Sequence, residues 1–180
     1  MSDKWISASA PYLAPRAPGQ RDAWSEEAAG HGRKGGQELI FAGTMQAPPL
    51  VARALGVDTE EAAVARKRII TLDGEPVELT DTYYPTSVAS DTPLASPQKI
   101  KGGAVTLLAE LGYAVTDIHE DISARMPTAD ERRLLHLGAD EPVLLLLRVH
   151  VASDGKPVQV DAITMPSRGR HLSYTLKKQG

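Results

Sequence analysis

Arg66 and Arg68 lie one residue apart in the run Arg66-Lys67-Arg68-Ile69-Ile70-Thr71-Leu72, whose β-branched residues read as a strand. Alternation along a strand then sends both guanidiniums to one face. The chain turns at Asp73-Gly74, a strong short-range hairpin signal because glycine supplies the positive φ the turn requires, and returns through Glu75 and Pro76 toward Thr82. With Leu72-Asp73-Gly74 as a three-residue loop, Thr71 faces Glu75, Arg68 faces Glu78 and Arg66 faces Thr80. Arg66, Arg68, Ile70, Glu78, Thr80 and Thr82 therefore share a face. Two guanidiniums beside a carboxylate and two hydroxyls can clamp a small anion bidentately. The same residues also describe a cross-strand ion pair on a solvated face, worth less than about 1 kcal/mol. On the residues alone, both readings stand.

Other chemistry has little support. His31, His119, His136, His150 and His171 are scattered, with no pair four apart on one helix, so no metal site is expected. Nothing like Gly-x-Ser-x-Gly frames a nucleophile, and no catalytic residue is assigned. The stretch 30–36 is glycine-rich and basic but lacks the Gly-Lys-Ser/Thr ending of a phosphate loop, so it reads as a connecting loop. No cofactor is implied. Arg168 and Arg170 read as a solvated turn rather than the rim of a pocket.

Twenty Lys and Arg against 23 Asp and Glu give a net charge of −3, which does not suit wrapping nucleic acid or lying on anionic lipid. The absence of cysteine excludes disulfides, thiolate nucleophiles and cysteine-ligated zinc, and is compatible with the cytoplasm, where the protein is expected to act. No stretch reaches the roughly 18 apolar residues of a membrane span, so no membrane association is expected. At 180 residues the chain is one domain with a tail, and with a single Phe its core must be aliphatic.

The elements that must position the arginines come as a repeat. Residues 49–55 are helical in pattern and close on Gly56; a strand over 63–72, the Asp73-Gly74 turn and a strand ending at Pro85 follow. Thr128 opens a second helix that closes at Gly138, and Pro142, the turn Asp154-Gly155 and Pro166 mark a second hairpin. Ten residues separate Gly56 from Arg66 and Gly138 from Arg148, and nine separate Pro76 from Pro85 and Pro157 from Pro166. A helix-plus-hairpin unit is used twice. Between the units, 102–112 reads as an amphipathic helix and 114–125 as a strand; before them, Ser25 reads as the N-cap of a short helix over 25–30, and 39–42 as a strand. The expected fold is α+β, a single antiparallel sheet with helices covering one face.

These residues, in this order and spacing, resemble the UTRA domain: Arg66-Lys67-Arg68, Asp73 to Pro85, Gly102 to Gly112, Arg125-Met126-Pro127-Thr128, Leu137-Gly138 and Arg148. UTRA is the effector-binding domain of the HutC subfamily of GntR transcription regulators, with a chorismate-lyase-like fold. The resemblance covers about residues 24–174 and rests on order and spacing rather than on one motif. It implies a regulator, not an enzyme: a homodimer that binds a small-molecule effector and meets DNA through a winged helix-turn-helix missing here. Residues 1–20, with Pro11, Pro15, Pro18 and Gly19, read as an irregular arm, the remains of the linker, and 21–180 as the effector-binding and dimerisation domain.

The resemblance also implies site residues. Ser25 matches the family's phosphate-holding hydroxyl, at a helix start where an anion is favoured. The family's Arg-x-Arg pair falls on Arg66 and Arg68, or without a gap on Arg68 and Ile70. A family glutamate falls on Thr80, a serine on Gly103, a tyrosine on Val105, a second glutamate on Gln159 and a second tyrosine on Met165. These departures disfavour an aminosugar phosphate and favour a more apolar small molecule carrying an acid group. Two rival readings are an enzyme of chorismate-lyase type, for which Glu78 is the one carboxylate on the expected face, and a dimerisation module without a ligand.

Overall fold

The computed structural model describes residues 5–7, 12, 15–17, 20–100 and 102–175; Pro11, Pro18 and Gly19 of the expected arm lie outside them. In chain order the elements are β1 (Trp5–Ser7), α1 (Ala23–Gly30), β2 (Gly35–Gln46), α2 (Pro49–Leu55), β3 (Ala62–Leu72), β4 (Glu75–Pro85) and α3 (Thr86–Ala89). A 3₁₀ turn over Pro93–Ala95 precedes α4 (Ala104–Glu110), β5 (Val115–Arg125), α5 (Ala129–Leu134), β6 (Val143–Ala152), β7 (Pro157–Pro166) and β8 (Arg170–Leu172). Six strands form one antiparallel sheet in the order β2-β3-β4-β7-β6-β5, and β1 pairs in parallel with β8. Trp5–Ser7 is thus a strand inside the segment expected to be irregular.

The sheet order explains the repeat. Strands β2-β3-β4 and β5-β6-β7 are two copies of one three-strand unit, each with a helix after its first strand, joined where β4 pairs with β7. The duplicated unit is one strand larger than the helix-plus-hairpin visible in the sequence.

Helices cover both faces of the sheet rather than one. Ala63, Ala65 and Tyr83 pack against Val51, Ala52 and Leu55 of α2, whereas Val64 and Tyr84 pack with Val88, Leu94 and Leu108 from α3, the 3₁₀ turn and α4. The reason is visible in Ala62-Ala63-Val64-Ala65, where the alternation gives way to a continuous apolar run that is buried on both sides.

The first hairpin corrects the expected register. Asp73 and Gly74 both have positive φ, 53° and 89°, which makes a two-residue turn with Leu72 opposite Glu75. Pro76 has no N–H to give the ladder, and the pairing slips there, from Thr71 with Pro76 to Ile70 with Glu78. Arg68 consequently faces Thr80, and Arg66 faces Thr82. The displacement from the expected pairs is two residues, so every side chain keeps its face.

Leu108, fully buried on α4, holds that helix to the sheet, while Leu111 at the helix end is 39% exposed. Leu108→Ala is expected to lower stability by about 3 kcal/mol. Leu111→Ala is expected to stay within about 0.5 kcal/mol of wild type. Urea denaturation of both variants checks the difference.

Candidate functional site

A cavity of about 770 Å³ lies between the sheet face that carries Arg68, the helix α1, and the start of α4 with the residues before it. The position of α1 follows from local chemistry. Asp22, not Ser25, is its N-cap: the Asp22 carboxylate accepts from the Ser25 N–H at 2.9 Å and from the Ser25 hydroxyl at 3.0 Å. Aspartate caps as well as serine does, and the helix starts two residues earlier than expected. Trp24 then donates its indole N–H to the Thr71 carbonyl at 2.9 Å. Its ring lies so near Gly35 that a Cβ there would come within 2.8 Å of Nε1. Gly35 and Gly36 therefore open β2 instead of belonging to a free loop.

Most of the residues expected at the site line this cavity: Ser25, Arg68, Glu78, Thr80, Gly103, Val105, Gln159 and Met165. Gly103 is the N-cap of α4, with Val105 one residue inside the helix. Glu78 accepts from the Thr80 hydroxyl at 2.7 Å. Arg68 donates through Nη2 to the Thr82 hydroxyl at 2.9 Å. Arg66 and Thr82 do not line it. The Arg66 guanidinium donates to the carbonyls of Leu94 at 3.1 Å, Gln98 at 3.0 Å and Ser96, pinning the segment after α3, and it borders a narrower cleft of about 350 Å³. Thr82 is buried and donates to Asp161 at 2.8 Å.

The sequence reading missed three polar groups of the floor: Arg148 and His150 on β6 and Asp161 on β7. His150 Nε2 stands 2.9 Å from Asp161, and the Gln159 amide donates to both Asp161 oxygens at 3.0 Å. Arg148 is bonded to Glu120 of β5. The signal was available in the alternation Leu146, Arg148, His150 and in the repeat, where Arg148 holds the place of Arg66. Arg170 was also misplaced. Its side chain is buried, donates to the Val77 carbonyl at 3.1 Å, stands 4.0 Å from Glu78 and lines the cavity, because β8 folds back beside β1. Nor is Glu78 alone, since Asp161 shares its face.

Eight Lys and Arg side chains line the cavity against three carboxylates, an excess that favours an anionic guest. Leu146, Ile163 and Met165 form one apolar cluster in its wall, with Leu172 packed against them. Burial pushes the Asp161 carboxyl up, but the His150 hydrogen bond, the Arg148 charge and the Thr82 hydroxyl together outweigh it and hold the group well below the ordinary carboxylate range. Among the described residues, no group of three or more His, Asp or Glu could hold a metal ion, and no helix is long and apolar enough to cross a membrane.

A carboxyl depressed below its unfolded value of about 3.9 adds stability that is complete above about pH 5 and is lost as pH falls through the folded value. Asp161→Asn removes this contribution and leaves the donors around it badly matched. It is expected to cost about 3 kcal/mol at pH 7. Because wild type alone loses the carboxylate term on acidification, the gap should narrow between about pH 5 and pH 3. Urea denaturation of both proteins across that range checks the sign.

The UTRA domain model matches residues 30–168. An uncharacterised HTH-type transcriptional regulator of Streptomyces coelicolor is 28% identical over 135 residues, which are 73% of this chain and 50% of that protein. The HTH-type transcriptional repressor PhnF of Mycolicibacterium smegmatis is 28% identical over 163 residues, 89% of this chain and 64% of that one. The chain thus spans less than two thirds of the length of either relative. The crystal structure of the effector domain of PhnF from Mycobacterium smegmatis has the same fold, with a TM-score of 0.71 over 86% of this chain and 94% of that one at 23% identity. The antiparallel sheet with its helices is the chorismate-lyase-like fold of such domains. The matched residues run from the end of α1 through all six strands of the sheet that floors the cavity, and on that match the chain belongs to the UTRA domain family, the effector-binding domains of GntR-family transcription regulators.

Proposed function

We propose that this chain senses a small acidic, partly apolar effector in the cavity between sheet, α1 and α4, and that occupancy changes the DNA affinity of a winged helix-turn-helix joined through residues 1–20. The carrying observation is the lining itself: a cationic excess around Arg68 beside the aliphatic wall of Leu146, Ile163 and Met165. Arg68 is the anchor for the acid group. Its Nη2 is held by Thr82 from below, so the guanidinium is oriented before a ligand arrives.

An aminosugar phosphate fits this lining poorly. Gly103 and Val105 offer no hydroxyl at the start of α4, and Thr80, Gln159 and Met165 replace acidic or phenolic groups with neutral ones. The role is binding rather than turnover. Glu78 and Asp161, the sheet carboxylates that line the cavity, are both engaged by donors, which suits a rigid recognition surface better than a general base. An effector shifts the regulator only by its differential affinity for two arrangements, and a two-fold operator calls for a cytoplasmic homodimer.

A thermal-shift screen of this chain against organic acids, fatty acids and sugar phosphates tests the reading. A ligand at a hundred times its Kd should add about 2.7 kcal/mol, roughly 5–10 °C in Tm. The shift should vanish in Arg68→Met. A response to sugar phosphates alone overturns the ligand class, conversion of an added acid overturns the non-enzymatic role, and a blank across all classes favours a dimerisation module.

A further inference from the structure

The buried Asp161 carboxylate decides what its neighbours present to the cavity. It accepts from the Thr82 hydroxyl, from the Gln159 amide nitrogen and from His150 Nε2. A side chain that donates at one end offers an acceptor at the other. In the neutral imidazole, donation from Nε2 leaves the lone pair on Nδ1, and donation from the Gln159 nitrogen leaves its carbonyl Oε1. Neither His150 Nδ1 nor Gln159 Oε1 has a hydrogen-bond partner among the described residues, and neither has Arg68 Nε. All three side chains line the cavity, and His150 and Gln159 are 1% and 4% exposed. Buried polar atoms left unpaired are costly, so a guest that pairs them gains selectively over one that does not.

The geometry points to a hydroxyl-reading floor in which His150 Nδ1, with Gln159 Oε1 beside it, accepts a hydrogen bond from the effector, making the effector a hydroxy acid with an apolar body. This deepens the proposed function and rests on its reading of the cavity. The acid group meets Arg68, and the body lies on Leu146, Ile163 and Met165. Polarity sets the orientation: beside His150 Nδ1 and Gln159 Oε1 a carboxylate would meet two acceptors and the ionised Asp161, while the neighbouring Arg148 is already paired with Glu120. Arg68 and His150 stand on β3 and β6, separated by β4 and β7. The register puts Arg68 in the row of Leu146, four residues along β6 from His150, so at about 4.8 Å per strand and 3.3 Å per residue the two backbones are roughly 20 Å apart, with side chains reaching inward. The acid and the hydroxyl therefore belong at opposite ends of the molecule. Asp161 and Thr82 act as positioning residues that fix the donors and acceptors above them.

Calorimetric titration of the intact chain with matched acids tests this: octanoate against 8-hydroxyoctanoate, and phenylacetate against 4-hydroxyphenylacetate. In at least one pair the hydroxy acid should bind on the order of tenfold tighter. His150→Phe removes Nδ1 and, unlike an amide, puts no acceptor in its place, so it should bring that preference close to parity. Gln159→Met, expected to reduce the preference in part, serves where His150→Phe does not fold. Plain acids that bind as tightly as their hydroxy partners, or a preference that survives in the folded variants, overturn the floor and leave the effector site standing. No binding by any of the four acids overturns the floor together with the acidic-effector reading beneath it.

Discussion

An ionised carboxylate under an aliphatic sheet is tolerable only where donors converge on it, and the seam between β4 and β7 is where they do. Asp161 on β7 lies opposite Thr82 on β4, and His150 on β6 closes the third side. The seam is also where the two three-strand units meet, so one polar node ties the halves together. Hydrophobic packing is pushed to either side of it, into the cluster under α2 and the cluster under α3 and α4. A helix laid flush over such a node would strand its unpaired atoms, whereas a cavity leaves them for a guest.

What roofs the cavity is held differently from what floors it. Ala28 is the buried residue of α1, so that helix gains little from apolar packing. It is held instead by directional contacts: the Trp24 indole on the Thr71 carbonyl, Trp5 donating to Glu27 at 2.7 Å, and the Trp5 ring 5.4 Å from the Trp24 ring. The chain before α1 contributes too, with the Arg16 N–H on the Thr106 hydroxyl of α4 at 3.0 Å. Elements held by a few hydrogen bonds open at lower cost than those set in a core. In the proposed role, a guest touching both sheet and roof supplies the contact that these bonds lack, and the segment leading into α1, the path toward the DNA-reading domain, is the one that feels it.

The sequence carried the elements of the sheet well and the contacts across it poorly, for one physical reason. Hairpins are local: Asp73-Gly74 and Asp154-Gly155 announce themselves, and the ten-residue interval from glycine to arginine repeats because both units use the same helix-to-strand connection. The register error at Pro76 was two residues, and parity kept Arg68, Glu78 and Thr80 on the cavity side. The pairing of β4 with β7 is not local. No turn signals it, so nothing in the sequence sets Asp161 and His150 apart from other polar residues in a strand. The surroundings of Arg66 are hidden from the sequence for a related reason. The carbonyls that hold it belong to residues 94–98, a stretch without helical or strand periodicity.

The repeat raises the question of why its two equivalent arginines have such different surroundings. Arg66 and Arg148 hold equivalent places, and both are almost wholly buried, yet their partners differ in kind. After β4 the chain crosses its own half of the sheet through α3 and the 3₁₀ turn, and the carbonyls of that crossing are fixed by Arg66. After β7 the chain instead turns back within a few residues to pair β8 with β1, and the described residues that follow add no helix. Arg148, with no such crossing above it, is bonded sideways to Glu120 of the edge strand β5, and the space over it remains open. The cavity is thus the place where the second unit is covered not by a crossing of its own but by α1 and the start of α4, which stand off from the sheet.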